Sequence, residues 1–208
     1  MNTKLFRTAG PLALVLAATA PLTSAPAQDR SAAAAVPRAA VRVPCCRCVD
    51  GTAQTVRIDT GAASWQVSNP GSTSLGPVAN AANVSWVALP PARWVGPPTG
   101  GTSTGDFTYQ LQIYVPRCTI PSQVRLAGRF AGDNSVRVFF DERRIAASGG
   151  TPNYGFLPGS VTPFAVSSLT PGLHTLRVVV TNSGGPTGVI VEAALTATCP
   201  REIEQSGA

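Results

Sequence analysis

Residues 107–115 read "FTYQLQIYV", and their period decides the fold class. Phe107, Tyr109, Leu111, Ile113 and Val115 fall on one parity; Thr108, Gln110, Gln112 and Tyr114 fall on the other. Successive side chains of a strand point to opposite faces of its sheet, so strict alternation marks a strand buried on one side. A helix would instead need apolar residues three and four apart. The same period continues on either side. In "QVRLAGRF" (123–130), Val124, Leu126 and Phe130 oppose Gln123, Arg125 and Arg129. In "VRVFFD" (136–141), Val136, Val138 and Phe140 oppose Arg137, Phe139 and Asp141. "HTLRVVVT" (174–181) sets Leu176, Val178 and Val180 against Thr175, Arg177 and Val179, and "VIVEAALTA" (189–197) turns Val189, Val191, Ala193 and Leu195 inward. The connecting "GDNS" (132–135) and "NSGGPTG" (182–188) carry good turn chemistry and predict two hairpins. Shorter candidates are "QTVRID" (54–59), "ASWQVS" (63–68), "NVSWVAL" (83–89) and "VTPFAV" (161–166). No segment has a convincing helical period. About eight short strands with Gly and Pro at their turns predict an all-β chain, an antiparallel β-sandwich or jelly roll.

Within this pattern, "LAGRFAGDNSVRVFFDERRI" and "TPFAVSSLTPGLHTLRVVVTNSGGPTGVIVEAAL" resemble the galactose-binding-like jelly-roll domains of exported bacterial proteins, many of which carry PEP-CTERM-type sorting tails. The resemblance rests on Gly128, Phe130 and Ala131, on the Asp133-Asn134 turn, on Gly172, His174, Leu176 and Val178, and on Pro186, Thr187 and Gly188. It spans roughly residues 107–198 and implies a jelly roll used for binding more than for catalysis.

The first residues set the compartment. Lys4 and Arg7 precede an apolar run from Pro11 to Ala20, too short to span a bilayer, and Ala25-Pro26-Ala27 has the small-x-small form of a cleavage site. Residues 1–27 are therefore expected to be a signal peptide, 28–44 a flexible low-complexity lead-in, 45–200 one β-sandwich domain and 201–208 a tail. The tail "REIEQSGA" shows neither a sorting nor a lipidation motif. The expected location is secreted, extracellular or periplasmic, with no membrane span.

Export bears on "VPCCRCVDG" (43–51), which holds three of the five cysteines. In an oxidising compartment clustered thiols form disulfides, and no C-x₂-C pair or second histidine points to zinc. Cys45, Cys46 and Cys48 are expected to staple the N-terminal segment to Cys118 and Cys199, which end strands. Closing loops of roughly 70 residues or more would stabilise the fold by about 4 kcal/mol each in the chain-entropy model. Five is odd, so one thiol remains free or joins another molecule.

Composition excludes several chemistries. Lys4 is the only lysine, which rules out a Schiff-base lysine, a phosphate-loop lysine and lysine isopeptide bonds elsewhere. The formal charge of +6 falls to about +4 without Lys4 and Arg7, too little to argue for nucleic acid, and no nucleic-acid motif is present. Gly101-Thr102-Ser103-Thr104-Gly105 fits G-x-S-x-G on paper, with Asp133 or Asp141 and then His174 following. A nucleophile elbow, however, needs a strand before the serine and a helix after it, whereas Ser103 leaves a Gly/Pro loop for a strand. No cofactor is implied, and no run of alternating acids argues for or against calcium.

Arginines and aromatics remain. Arg125, Arg129, Arg137 and Arg177 share the polar parity of their strands and, were those strands neighbours, would form a face for carboxylate, sulfate or phosphate. Trp65 and Trp86 sit at apolar phases and are expected in the core. Trp94, Tyr114 and Tyr154, like Phe139 and Phe156, lie off-phase or in loops, where an exposed ring could stack on a sugar. The expectation is an exported, non-catalytic module binding a glycan or envelope component, carbohydrate first. The alternatives are a cell-surface structural or assembly protein joined through its odd cysteine, and a serine hydrolase using Ser103.

Overall fold

A computed structural model describes residues 40–42, 53–117, 119–148 and 154–198. The predicted signal peptide, the five cysteines with their pairing, and the tail lie outside the described residues. Those described form an antiparallel β-sandwich, apart from one parallel pairing at its N-terminal end. In chain order the strands are β1 (Val41–Arg42), β2 (Ala53–Arg57), β3 (Gln66–Ser68), β4 (Gly76–Pro77), β5 (Ala79–Asn80), β6 (Val95–Gly96), β7 (Gly105–Val115), β8 (Val124–Asp133), β9 (Ser135–Phe140), β10 (Arg143–Ala147), β11 (Thr162–Ser167), β12 (Gly172–Asn182) and β13 (Gly188–Thr198). Helical structure among the described residues amounts to two 3₁₀ turns, Pro121–Gln123 and Pro158–Ser160. No helix among them is long and apolar enough to cross a membrane.

One sheet, here sheet A, runs β10-β9-β12-β7-β3-β4, with β1 parallel to β7; sheet B runs β11-β8-β13-β6-β5, with β2 on β13. The alternation read from sequence holds on all five long strands. Phe107, Tyr109, Leu111, Ile113 and Val115 are buried, facing Leu126, Phe130, Val191 and Leu195 of the other sheet in one core. Burying an aliphatic or aromatic side chain of this size is worth about 1.5–3 kcal/mol relative to leaving it in water, so this shared core is what holds the two sheets together. Trp65 belongs to it, as expected.

The two predicted hairpins are corrected. β8 and β9 are consecutive but lie in different sheets, and so do β12 and β13. Each connection is an arch over the end of the sandwich. Asp-Asn and Gly-Gly dictate that the chain reverses; they do not dictate which sheet the next strand joins. Either choice turns the apolar parity toward the core. The arches are tied to each other: Asn134 N–H donates to Thr181 O at 3.2 Å, Ser183 N–H donates to Asn134 Oδ1 at 2.7 Å, and Thr187 Oγ1 donates to Asp133 O.

A true hairpin forms where the sequence showed only a charged run. β9 and β10 join through Asp141 and Glu142, with φ of 45° and 65°, the positive-φ pair of a type I′ turn. Asp141 is held by β12, accepting from Thr175 N–H at 2.9 Å and contacting His174 Nδ1 at 2.6 Å. "NVSWVAL" forms no strand but a turn and loop. Sheet A also takes in Val41 and Arg42, which fall inside the predicted lead-in.

Candidate functional site on the outer face of sheet B

The outer face of sheet B divides into a covered half and an open half. Ala131 and Ile190 sit on the outward parity yet are buried, because Trp86, Leu89, Ala92 and Trp94 fold over them as a second, smaller core. Trp86 and Trp94 pack with ring centroids 4.4 Å apart, and Trp94 donates its indole N–H to Val87 O at 2.6 Å. Trp94 is thus a core residue, which corrects its reading as an exposed stacking ring. Its partner carbonyl lies in the same loop, so the loop that delivers the ring also covers it.

On the open half the outward residues at the middle of β8 and β13 are small. Ala127 of β8 pairs with Ala194 of β13, and Ala194 pairs onward with Arg57 of β2. Over this floor lies a depression of about 450 Å³, walled by Arg57, Asp59, Arg129, Glu192 and Pro163. A second depression of about 560 Å³ shares Ala127 and Ala194 and continues toward Arg125, Gln123, Ser167 and Thr196. Together they form one trough along β8 and β13. From Arg125 to Arg129 it spans four residues, about 13 Å at the rise of a strand.

The charged groups at the two ends differ. Arg129 Nε meets Glu192 Oε2 at 2.6 Å, and Arg57 Nη2 meets Asp59 Oδ2 at 2.8 Å. Asp59 is nearly buried, its side chain 5% exposed, and its Oδ1 has no hydrogen-bond partner among the described residues. At the other end Arg125 is exposed and forms no ion pair among the described residues, while the buried Gln123 Oε1 beside it has no partner. The trough can therefore offer an apolar floor, paired donors and acceptors at one end, and an unneutralised guanidinium at the other.

The four arginines do not share a face. Arg125 and Arg129 line the trough, whereas Arg137 and Arg177 lie on sheet A, because the arch between β8 and β9 moves the chain to the opposite sheet. Arg137 Nη2 pairs with Asp106 at 2.6 Å, and Thr181 Oγ1 also donates to that carboxylate. The Thr181 bond, with the Arg137 pair adding to it, holds the Asp106 carboxyl below its ordinary pKa against the opposing effect of burial. Arg177 pairs with Glu142 at 2.6 Å and covers Phe139, its guanidinium carbon 4.2 Å from the ring centroid. Tyr114 lies on the outer face of sheet A with Arg42 5.8 Å from its ring centroid. Tyr154 is half-exposed beside Phe156, remote in sequence from the trough strands. What sequence reasoning missed is the trough itself. Its signal was the small outward residues Ala127, Ala165 and Ala194, which strand periodicity treats as uninformative.

Ser103 and His174 are brought to opposite ends of one strand. Asn182 Nδ2 donates to Ser103 O at 2.9 Å, and His174 lies eight residues back along β12, about 26 Å away in an extended chain. His174 is instead buried, bonded through Nδ1 to Asp141 and through Nε2 to Thr170 O at 2.7 Å, and stacked on Phe140. No triad can form from these residues. Among the described residues no three His, Cys, Asp or Glu side chains gather as a metal site would require.

No family model and no curated protein matches this sequence. Solved structures with a similar strand arrangement include a GH2 β-galacturonidase from Eisenbergiella tayi, 14% identical with a TM-score of 0.39, covering 67% of this chain and 24% of that one. A Bacteroides uniformis β-glucuronidase is 15% identical with a TM-score of 0.43, covering 70% of this chain and 18% of that one. A Ruminococcus gnavus β-glucuronidase is 11% identical with a TM-score of 0.40, covering 72% and 29%. The chain spans less than a third of the length of any of these glycosidases, and likenesses this loose bring neither activity nor ligand across to it.

Proposed function

We propose that this chain is an exported, non-catalytic binding module that holds glycan along the trough of sheet B. The observation that carries the reading is the trough's composition: a floor of Ala127 and Ala194, walled by Pro163 and by the Arg57–Asp59 and Arg129–Glu192 pairs. A sugar ring has an apolar C–H face and a rim of hydroxyls that both donate and accept. The alanine floor suits the first, and the side-by-side guanidinium and carboxylate groups suit the second. Export rests on the N-terminal residues, and the resemblance to galactose-binding-like domains of exported bacterial proteins supports the same reading.

The test is a glycan array on the secreted chain, followed by Ala127→Trp, which fills both depressions from their shared floor. Binding that is abolished in Ala127→Trp while the unfolding midpoint is kept is the expected result. Binding unchanged by a tryptophan there would move the site elsewhere. Silence across the array would return the chain to the assembly reading, in which the odd cysteine links it to a partner.

A further inference from the structure

Among the described residues two arginines of the trough are paired with carboxylates and one is not, so the trough has a direction. Arg57 and Arg129 each face a carboxylate, whereas Arg125 sits among hydroxyl and amide groups, those of Ser122, Gln123, Ser167 and Thr196, in a depression that no acidic residue lines among the described residues. An unpaired guanidinium on a surface is ordinarily a solvated charge. Here it lines a concave depression contiguous with the apolar floor, together with the hydroxyls of Ser122, Ser167 and Thr196. We infer that the trough binds an acidic glycan in one orientation: a neutral, hydroxyl-rich residue over the Arg57–Asp59 end, and a residue bearing a carboxylate or sulfate ester at Arg125. This rests on the glycan reading above and names the ligand class within it.

The chemistry of the two ends decides the orientation. An anionic group at the Arg57–Asp59 end would approach the carboxylates of Asp59 and Glu192, and like charges there oppose it. At the Arg125 end the same group meets a fork of N–H donors matched to two coplanar oxygens, with no carboxylate of the described residues competing for them. The neighbouring hydroxyls of Ser167 and Thr196 can accept from or donate to the ring hydroxyls that flank the acid group.

The experiment measures calorimetric affinity of the secreted chain for three oligosaccharides of one backbone and length: an oligouronate, its methyl ester, and a sulfated neutral counterpart. An anionic probe should bind about tenfold or more tighter than the methyl ester, as expected for one charge-assisted pair, and raising salt from about 50 mM to about 500 mM should shrink that gap. Arg125→Gln should erase the preference, bringing the affinity for the anionic probes down to that for the methyl ester, because the side chain then carries no charge to pair with them. Whether the oligouronate or the sulfated probe shows the larger gap identifies the anionic group. Equal affinity for all three overturns the inference and leaves the trough a neutral-glycan site, and a preference that survives Arg125→Gln overturns it by placing the anion away from Arg125. Failure of all three to bind sinks the glycan reading and the inference together.

Discussion

Trp86 donates its indole N–H to Asp133 Oδ2 at 2.8 Å, and the bond fastens the outer tryptophan cluster to the point where β8 leaves its sheet. The other carboxylate oxygen, Oδ1, is buried without a partner among the described residues. Burial raises the Asp133 pKa above 3.8, and the Trp86 bond opposes the rise. A folded chain that holds this proton more tightly than the unfolded chain gains stability from it below the ordinary carboxylate pKa and loses that gain as pH rises through the raised value.

Asp133→Asn should therefore be at least as stable as the natural chain at pH 7, because an amide oxygen still accepts from Trp86 while the charged, unpartnered oxygen is gone. Asp133→Ala should lose about 1–3 kcal/mol by stranding the indole N–H. The advantage of Asn over Asp should vanish as pH falls toward the ordinary carboxylate pKa. Urea midpoints of the three chains at both pH values check this, and an Asn variant as unstable as Ala would contradict it.

The β9–β10 turn offers a second check. Asp141 and Glu142 both adopt positive φ, which costs a residue with a Cβ about 1–2 kcal/mol relative to glycine. Glu142→Gly removes that cost and gives up only the exposed pair with Arg177, worth about 0–1 kcal/mol. A net gain of up to about 1 kcal/mol in denaturant unfolding is expected. Asp141→Gly should instead destabilise, since Asp141 anchors His174 and Thr175.

How far such features were legible from sequence depends on whether they are local. The alternation in Phe107–Val115 is written by a local rule, the two-residue period of a strand against a core, and every inward residue it named is buried. Asp141-Glu142 hid a hairpin because the expected glycine is missing and His174, 33 residues away, supplies the support. Trp94 was misread because its cover comes from the fold of its own loop against Ala131 and Ile190, whose parity alone points to solvent. Arg125 and Arg129 could be named as binding candidates, but their separation from Arg137 and Arg177 depends on a change of sheet that no turn sequence encodes.

The cysteine expectation takes a direct measurement. Non-reducing peptide mapping of the secreted chain should find Cys118 and Cys199 each joined to one of Cys45, Cys46 and Cys48, with the remaining thiol free or joined to another molecule. A bond between the adjacent Cys45 and Cys46 would need a distorted peptide and is not expected. One bound zinc with all five thiols reduced would overturn the disulfide reading and the oxidising compartment with it.

The arches carry a consequence for how the chain reaches its native state. Neither β8 and β9 nor β12 and β13 pair with each other; β12 pairs with β7 and β9, and β13 with β8 and β2. The longest ladders therefore join segments some sixty residues apart, as Leu111 with Leu176 and Leu126 with Leu195. Loop closure on that scale must come before those contacts reward it, so folding should proceed on the slow side of single domains, on the order of milliseconds to seconds. No contiguous half of the sandwich holds a complete sheet, since sheets A and B both draw strands from before and after β9. Cutting the chain in the β9–β10 turn should yield two fragments that are each unstructured alone and regain a β-sheet spectrum only when mixed.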